Sequence, residues 1–300
     1  MYAILGATGN TGGVVAEKLL AKGQEVRVIG RDARRLERLS DNGAEPFVAD
    51  VTDKTALTEA FSGAKAVYLL IPPAITSPDV LARSEQVGDA LAQAVEEAGV
   101  THAVVLSSIG ADKPEGTGPV LGLHNFEQKL NRIAALHALY LRAGYFMENT
   151  LAQVDVVRGF GMVAGPFRAD LRLSMIATRD IGAVAAEALL KLNFRGKSTR
   201  ELLGPRDVTY ADVAKAIGTA IGKPSLAYVQ MPAPQFKAAL AQMGMSENMA
   251  QLILEMTEAL QSGHMAALEP RSPQNTTPTT IETFVADKFL PVFRAKAASA

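Results

Sequence analysis

The chain has 300 residues, 48% hydrophobic and 20% charged, a globular composition with room for one large domain or a large and a small one. Its formal net charge is −1, so no overall field favours nucleic acid or an anionic membrane, and no apolar run approaches the ~20 residues needed to span a bilayer. It has no cysteine, which excludes disulfides, thiolate catalysis and cysteine-ligated metal; its four histidines (His102, His124, His137, His264) show no metal-ligand spacing, so no metal is expected.

The first apolar run, Tyr2–Leu5, predicts a short buried strand, and a helical run follows it over Thr11–Lys22. Between them Gly6, Gly9 and Gly12 fall in a G-x-x-G-x-x-G pattern. Glycines let the backbone turn tightly and approach a pyrophosphate, and the following helix start supplies free N–H groups and a positive dipole end. The alternative is a plain tight turn. The strand–loop–helix setting favours a dinucleotide cradle built from Gly6, Thr8, Gly9, Asn10, Thr11 and Gly12. The strand starts at residue 2, which leaves no room for a secretory leader and predicts a cytoplasmic protein.

Strands are then expected at Glu25–Ile29, Pro46–Ala49, Ala66–Ile71, Ala103–Ser107 and Ala138–Leu141. Helices are expected between them at Ala33–Leu39, Lys54–Ala60, Val80–Ala98 and Leu121–Ala135. This alternation predicts an α/β fold, a doubly wound parallel Rossmann sheet with its ligand at the carboxyl ends of the strands. After about residue 150 the rhythm changes. Arg158 to Pro166 reads as Gly-rich and irregular, followed by a strand at Leu171–Met175, a helix over Asp180–Leu192 and an extended segment at Arg200–Leu203. A helix over Tyr210–Ile221, a strand near Leu226–Met231, helices over Pro234–Met243 and Ser246–Ser262, a Pro/Thr-rich link at Pro270–Thr280 and a last short helix complete the chain. The expected organisation is a nucleotide-binding domain over 1–155 and a smaller mixed α/β C-terminal domain over 156–300, with residues 176–205 packing back onto the first.

The second strand ends Ile29-Gly30-Arg31. NAD sites place an acid there for the ribose 2′-hydroxyl, whereas NADP sites place a cation for the 2′-phosphate. Gly30 leaves the acidic position empty, and Arg31 can fork onto a phosphate, with Arg34 and Arg35 adding charge. Asp32 is either a helix cap or a carboxylate that serves NAD, so NADP is favoured with NAD still possible. Asp50, at the end of the third strand, is either an acceptor for the adenine amino group or a turn aspartate, with Asp53 as a helix cap.

Ketone reduction in short-chain dehydrogenases uses Tyr-x-x-x-Lys, because residues four apart share a helix face and the lysine lowers the phenol pKa. The residues four places after Tyr2, Tyr68, Tyr140, Tyr145, Tyr210 and Tyr228 are Gly6, Pro72, Gly144, Asn149, Ala214 and Pro232, and none is lysine. This disfavours a Tyr-dependent alcohol dehydrogenase or sugar-nucleotide epimerase. Nearby stand Ser107 and Ser108, which either close the strand end by local hydrogen bonds or touch a cofactor. His124 follows on the next helix, and is either a surface histidine or a donor to substrate or nicotinamide ribose. Met249, Leu252, Ile253, Met256 and Leu260 form a helix stripe that reads as core, or alternatively as an apolar lid.

Gly6-Ala-Thr-Gly-Asn-Thr-Gly12, Arg31, Leu70-Ile71-Pro72-Pro73, Ser107-Ser108-Ile109-Gly110, Gly144-Tyr-Phe-Met-Glu-Asn149, Ile176-Ala-Thr-Arg-Asp-Ile-Gly182 and Leu203-Gly-Pro-Arg-Asp-Val-Thr-Tyr210 occur in order. Together they resemble the NmrA-like family of atypical short-chain dehydrogenases, which includes NADPH-dependent quinone reductases, azoreductase-like proteins and NADP-sensing regulators. The resemblance implies that the glycine loop holds pyrophosphate, Arg31 the 2′-phosphate, and Ile71 and Pro72 the cofactor groove. It implies that His124 faces the nicotinamide, with Tyr145 and Phe146 by the ring and Asn149 close behind. One departure is Arg142-Ala-Gly where the family often has Arg-Pro-Gly, which leaves the loop less constrained. The expected function is hydride transfer from NADPH to a quinone-like or other electron-poor small molecule. The alternative is a non-catalytic NADP(H) redox sensor acting through a partner protein. A monomer or homodimer is expected.

Overall fold

The computed structural model describes residues 1–298. The first half alternates strand and helix: β1 Tyr2–Leu5, α1 Gly12–Leu20, β2 Val26–Gly30, α2 Ala33–Asp41, β3 Glu45–Val48, α3 Lys54–Phe61, β4 Ala66–Leu69, α4 Val80–Glu97, β5 His102–Ser108, α5 Leu121–Asn131 and β6 His137–Ala143. The second half contains β7 Tyr145–Phe146, α6 Gln153–Phe160, β8 Val163–Gly165, β9 Leu173–Ile176, α7 Thr178–Lys191, β10 Lys197–Leu202, β11 Asp207–Val208, α8 Tyr210–Ala220, β12 Tyr228–Gln230, α9 Ala233–Gln242 and α10 Glu247–Ser262. The chain closes with α11 Ile281–Phe284, a π-turn, and α12 Leu290–Ala298.

Seven strands form one sheet in the order β10-β6-β5-β4-β1-β2-β3, with every neighbouring pair parallel. Two small sheets, β11-β9-β7 and β12-β8, lie outside it. Alternate residues of the large sheet feed two cores, as the two-residue period of a strand requires. Tyr2, Ile4, Val28, Tyr68 and Val104 pack under α1, α2 and α7. Ala3, Leu5, Val67, Leu69, Ala103 and Val105 pack under α3, α4 and α5. A third core gathers Met147, Val154, Val157, Val163, Phe167, Met175, Val213 and Phe284 from the second half. Aspartate side chains start three first-half helices: Asp32 accepts from the Arg34 amide, Asp53 from Ala56 and Asp79 from Ala82.

Three expectations are corrected. Residues expected as irregular form the end of α6 and the strand β8, because Val154, Val157 and Val163 bury together despite the glycines at 159, 161 and 165. Helix α5 stops at Asn131 rather than Ala135, where Lys197 Nζ takes the carbonyls of Ile133 (2.8 Å) and Leu136. The Pro/Thr-rich link is a fastened strap. The Leu203 amide donates to the Asn275 carbonyl (2.7 Å), the Thr277 amide to the Leu203 carbonyl (2.8 Å), and both the amide and the hydroxyl of Thr279 to Asp180.

Candidate active site

β1 and β4 are neighbours in the sheet while their connections run to opposite sides, which opens the crevice where doubly wound folds hold their ligands. Gly6 turns the chain there at φ +65, a left-handed conformation that favours glycine. The Gly9 amide then closes onto the Gly6 carbonyl at 2.9 Å. Helix α1 starts so close to β1 that a Cβ on Gly12 would stand 2.5 Å from the Gly6 carbonyl oxygen. Only glycine fits this approach.

Thr11 makes no side-chain cap, and no acid lies in the first turn of α1, so the dipole of the helix start is uncompensated by the chain. This chemistry fits a pyrophosphate, the group expected from the glycine pattern. Thr8, Gly9 and Asn10 remain at the surface, whereas the Thr11 side chain is buried against the sheet. Of Thr11, then, only the backbone can reach a ligand.

Arg31 leaves β2 exposed and joins no side-chain hydrogen bond or ion pair among the described residues. Gly30 beside it is crowded: a Cβ there would meet Leu36 Cδ2 at 3.3 Å and Thr8 Cγ2 at 3.7 Å. Asp32 Oδ1 accepts the Arg34 amide at 3.0 Å and so caps α2, with its second oxygen left for other partners. Asp50 Oδ1 accepts from the Thr52 amide (2.9 Å) and hydroxyl (2.6 Å), and these bonds, with the charge of Arg83, hold the carboxyl below its ordinary range against a burial that raises it. Its turn role is visible, and the second oxygen is left for other partners. Ile71 and Pro72 follow β4 half-buried, with Leu70 packed against Gly6.

The other flank of the crevice is built by the exit from β5. Gly110 has φ +92, and a Cβ on it would meet Met265 Cε at 2.7 Å. Met265 packs with Ala111, Val120 and Ala259, and α10 lies over residues 118–120 so closely that a Cβ on Gly118 would stand 2.1 Å from the Leu252 carbonyl. The Met249–Leu260 stripe is therefore an inter-element core that clamps α10 onto the β5–α5 connection; Met249 and Leu252 pack on Val80. His124 Nδ1 donates to the Ala111 carbonyl at 2.8 Å, because a carbonyl oxygen can only accept. That bond fixes the ring and leaves Nε2 as its other functional atom.

Two expected cofactor contacts are redirected. Ser107 shares its strand face with Ala103 and Val105, is 2% exposed, and donates to Glu127 at 2.5 Å, so its hydroxyl is not offered to the crevice. Tyr145 turns into the third core, where its hydroxyl pairs with that of Tyr210 at 3.2 Å and its ring stands edge-on to Phe167; Phe146 packs on the first core. Burial pushes the phenols of Tyr145, Tyr210 and Tyr228 up, which makes them poor proton donors. The sequence reading missed Glu127 and Arg142. Glu127 is 3% exposed and accepts Arg142 Nε at 3.1 Å and Nη2 at 2.6 Å. Its position one turn after His124 was the available signal.

No group of three or more metal-ligating side chains occurs among the described residues. No helix among them is long and apolar enough to cross a membrane.

A parallel sheet of this order, with a glycine-built helix start at its crevice, defines a nucleotide-binding protein of the Rossmann class. The profile of the NmrA-like family matches residues 2–285, and the chain belongs to that family. An NAD(P)H azoreductase of Xenophilus azovorans is 29% identical over 278 residues, covering 92% of this chain and 93% of that protein. The crystal structure of an NADPH-dependent quinone oxidoreductase from Escherichia coli, complexed with NADPH, superposes with a TM-score of 0.80 at 25% identity over 96% of this chain and 100% of the other. The triphenylmethane reductase of Citrobacter sp., complexed with NADP(H), superposes with a TM-score of 0.78 at 20% identity over 97% and 100% of the two chains.

Proposed function

We propose that this protein is an NADPH-dependent reductase that transfers hydride to an electron-poor acceptor of the quinone or azo type. One observation carries the reading: the uncapped, glycine-built start of α1 is followed at the end of β2 by an exposed Arg31 that joins no side-chain hydrogen bond or ion pair among the described residues. The family and its reductase relatives agree with the nicotinamide-dependent class. The sensor alternative has no observation of its own behind it.

When bound, NADPH supplies the hydride. The chain supplies position and charge. The amides of Asn10, Thr11 and Gly12 at the start of α1 would hold the pyrophosphate, and Arg31 the 2′-phosphate. His124, its Nδ1–H fixed on Ala111, has Nε2 as the ring nitrogen left to meet an acceptor. Neutral, that atom accepts a hydrogen bond; protonated, it hands a proton to the reduced acceptor. An acceptor whose anion is already stabilised needs no phenol, which fits a site whose buried tyrosines hold their protons tightly.

The test is turnover of NADPH against a panel of quinones, azo dyes and enones, followed by cofactor absorbance. The expected result is oxidation with at least one class, with His124→Gln lowering kcat while leaving NADPH affinity intact. NADPH binding without turnover across the whole panel would overturn the proposal.

A further inference from the structure

Behind His124 lies a buried ionic network that binding alone does not require. Glu127 stands three residues after His124 on α5, turned inward, and its carboxylate takes three donors. Ser107 Oγ donates to Oε1 at 2.5 Å from the end of β5, and Arg142 donates from the end of β6, Nε to Oε1 at 3.1 Å and Nη2 to Oε2 at 2.6 Å. The guanidinium also feels Asp112, the residue after Ala111, and Glu201 on β10. Glu201 in turn accepts the amides of Leu268 (2.9 and 3.0 Å) and Glu269 (3.0 Å), just past the Met265 that covers Gly110.

We propose that Glu127 is a positioning residue: by tying α5 to the ends of β5 and β6 through Ser107 and Arg142, it holds His124 against the Ala111 carbonyl in its Nδ1–H form. This rests on the reading of His124 given above. The reasoning is geometric. The His124–Ala111 bond joins two segments, α5 and the β5 exit loop, that are separated in sequence by the loop over 112–120. Gly110, just before that loop, is packed by Met265, and Gly118 within it by the Leu252 carbonyl, so what holds the loop comes from the region of α10 and not from α5. The rigid parts on either side are β5 and α5, and Glu127 is the side chain that joins them by a charge-assisted bond. A buried bidentate carboxylate–guanidinium pair fixes orientation more sharply than apolar packing does, and such pairs are kept for specificity more readily than for stability. Through the charge of Glu201, which holds the Leu268 and Glu269 amides, the same network borders the segment that follows Met265, the residue covering Gly110.

The test combines a spectroscopic and a kinetic arm on the full chain. In 15N-histidine NMR the wild-type His124 shows the Nδ1–H tautomer. In Glu127→Gln, whose amide presents an NH2 group to donors, His124 is expected to show a mixture of both tautomers. In the kinetic arm Glu127→Gln lowers kcat on the order of 10- to 100-fold, the size expected for a displaced reacting group, while KM for NADPH stays within about twofold. In a His124→Gln background the second substitution is expected to cost nothing more, because both changes act through one group. Ser107→Ala, which leaves the ion pair intact and removes only a hydroxyl, gives the same shift in smaller measure and serves if Glu127→Gln does not fold. An unchanged His124 tautomer in the folded variant, or losses that multiply in the double variant, would overturn the proposal. The NMR arm needs no acceptor, so it decides this inference even if the wild type turns over no quinone and the reductase reading fails.

Discussion

Removing Arg31 isolates the choice of cofactor. The side chain is exposed at the end of β2 and joins no ion pair among the described residues, so within the protein Arg31→Ala removes only its electrostatic pull on Asp50. A guanidinium forked onto a phosphate makes charge-assisted hydrogen bonds worth about 1.5–3 kcal/mol each when shielded. At an exposed strand end, solvent screening brings such a pair down to about 1 kcal/mol. At about 1.4 kcal/mol per tenfold, NADPH binding should weaken roughly fivefold. NADH lacks the 2′-phosphate and should change by no more than about twofold. Calorimetric titration with both cofactors at low and high salt checks this, and wild-type NADPH affinity should show the steeper salt dependence. A parallel loss for NADPH and NADH, or a wild type that binds both alike, would mean that Arg31 does not read the phosphate.

Gly118→Ala combines a left-handed φ of +58 with a Cβ 2.1 Å from the Leu252 carbonyl, so α10 must lift from the β5–α5 connection. A cost of about 1–3 kcal/mol is expected, with faster amide exchange confined to 247–262 and its contacts; unchanged exchange there would contradict the clamp. Asp212 closes the capping box of α8: the Thr209 amide and then its hydroxyl, with Arg206, hold its carboxyl below the ordinary range against the opposing effect of burial. A depressed folded value means that this stabilisation is complete above the unfolded carboxyl range near ~3.9 and is lost as pH falls through the lower folded value. Asp212→Asn should therefore lower Tm at neutral pH and lose its effect in strong acid, and an equal deficit at both would exclude the titration.

The layered order of the sheet was legible because its signals are local. Tyr2–Leu5 is a fully apolar run closed by glycine, and Asp32, Asp53 and Asp79 mark helix starts. The tight turn at Gly6 and the close helix start at Gly12 were legible for the same reason. What escaped depends on partners far along the chain. Ser107 reads as a strand-end serine until Glu127, 20 residues on, is seen to accept its hydrogen bond. The 270–280 strap reads as a linker because the groups that fasten it, Asp180 and Leu203, lie about 70 to 100 residues earlier. Helix α6 and strand β8 escaped because their glycines argue against regular structure and only the third core overrules them.

The parallel register of β10 on β6 has a consequence for how the protein is made. During synthesis the ribosome delivers β6 some 50 residues before the strand that covers it, after β7, α6, β8, β9 and α7 have emerged. Until then the nascent sheet presents β6 as a bare edge with unpaired amides and carbonyls, the arrangement that invites pairing with a neighbouring chain. The nucleotide-binding sheet is therefore not a module that finishes folding before the rest appears. Its last strand arrives from within the second half, and the chain must thread through its outer layer before its oldest part is complete.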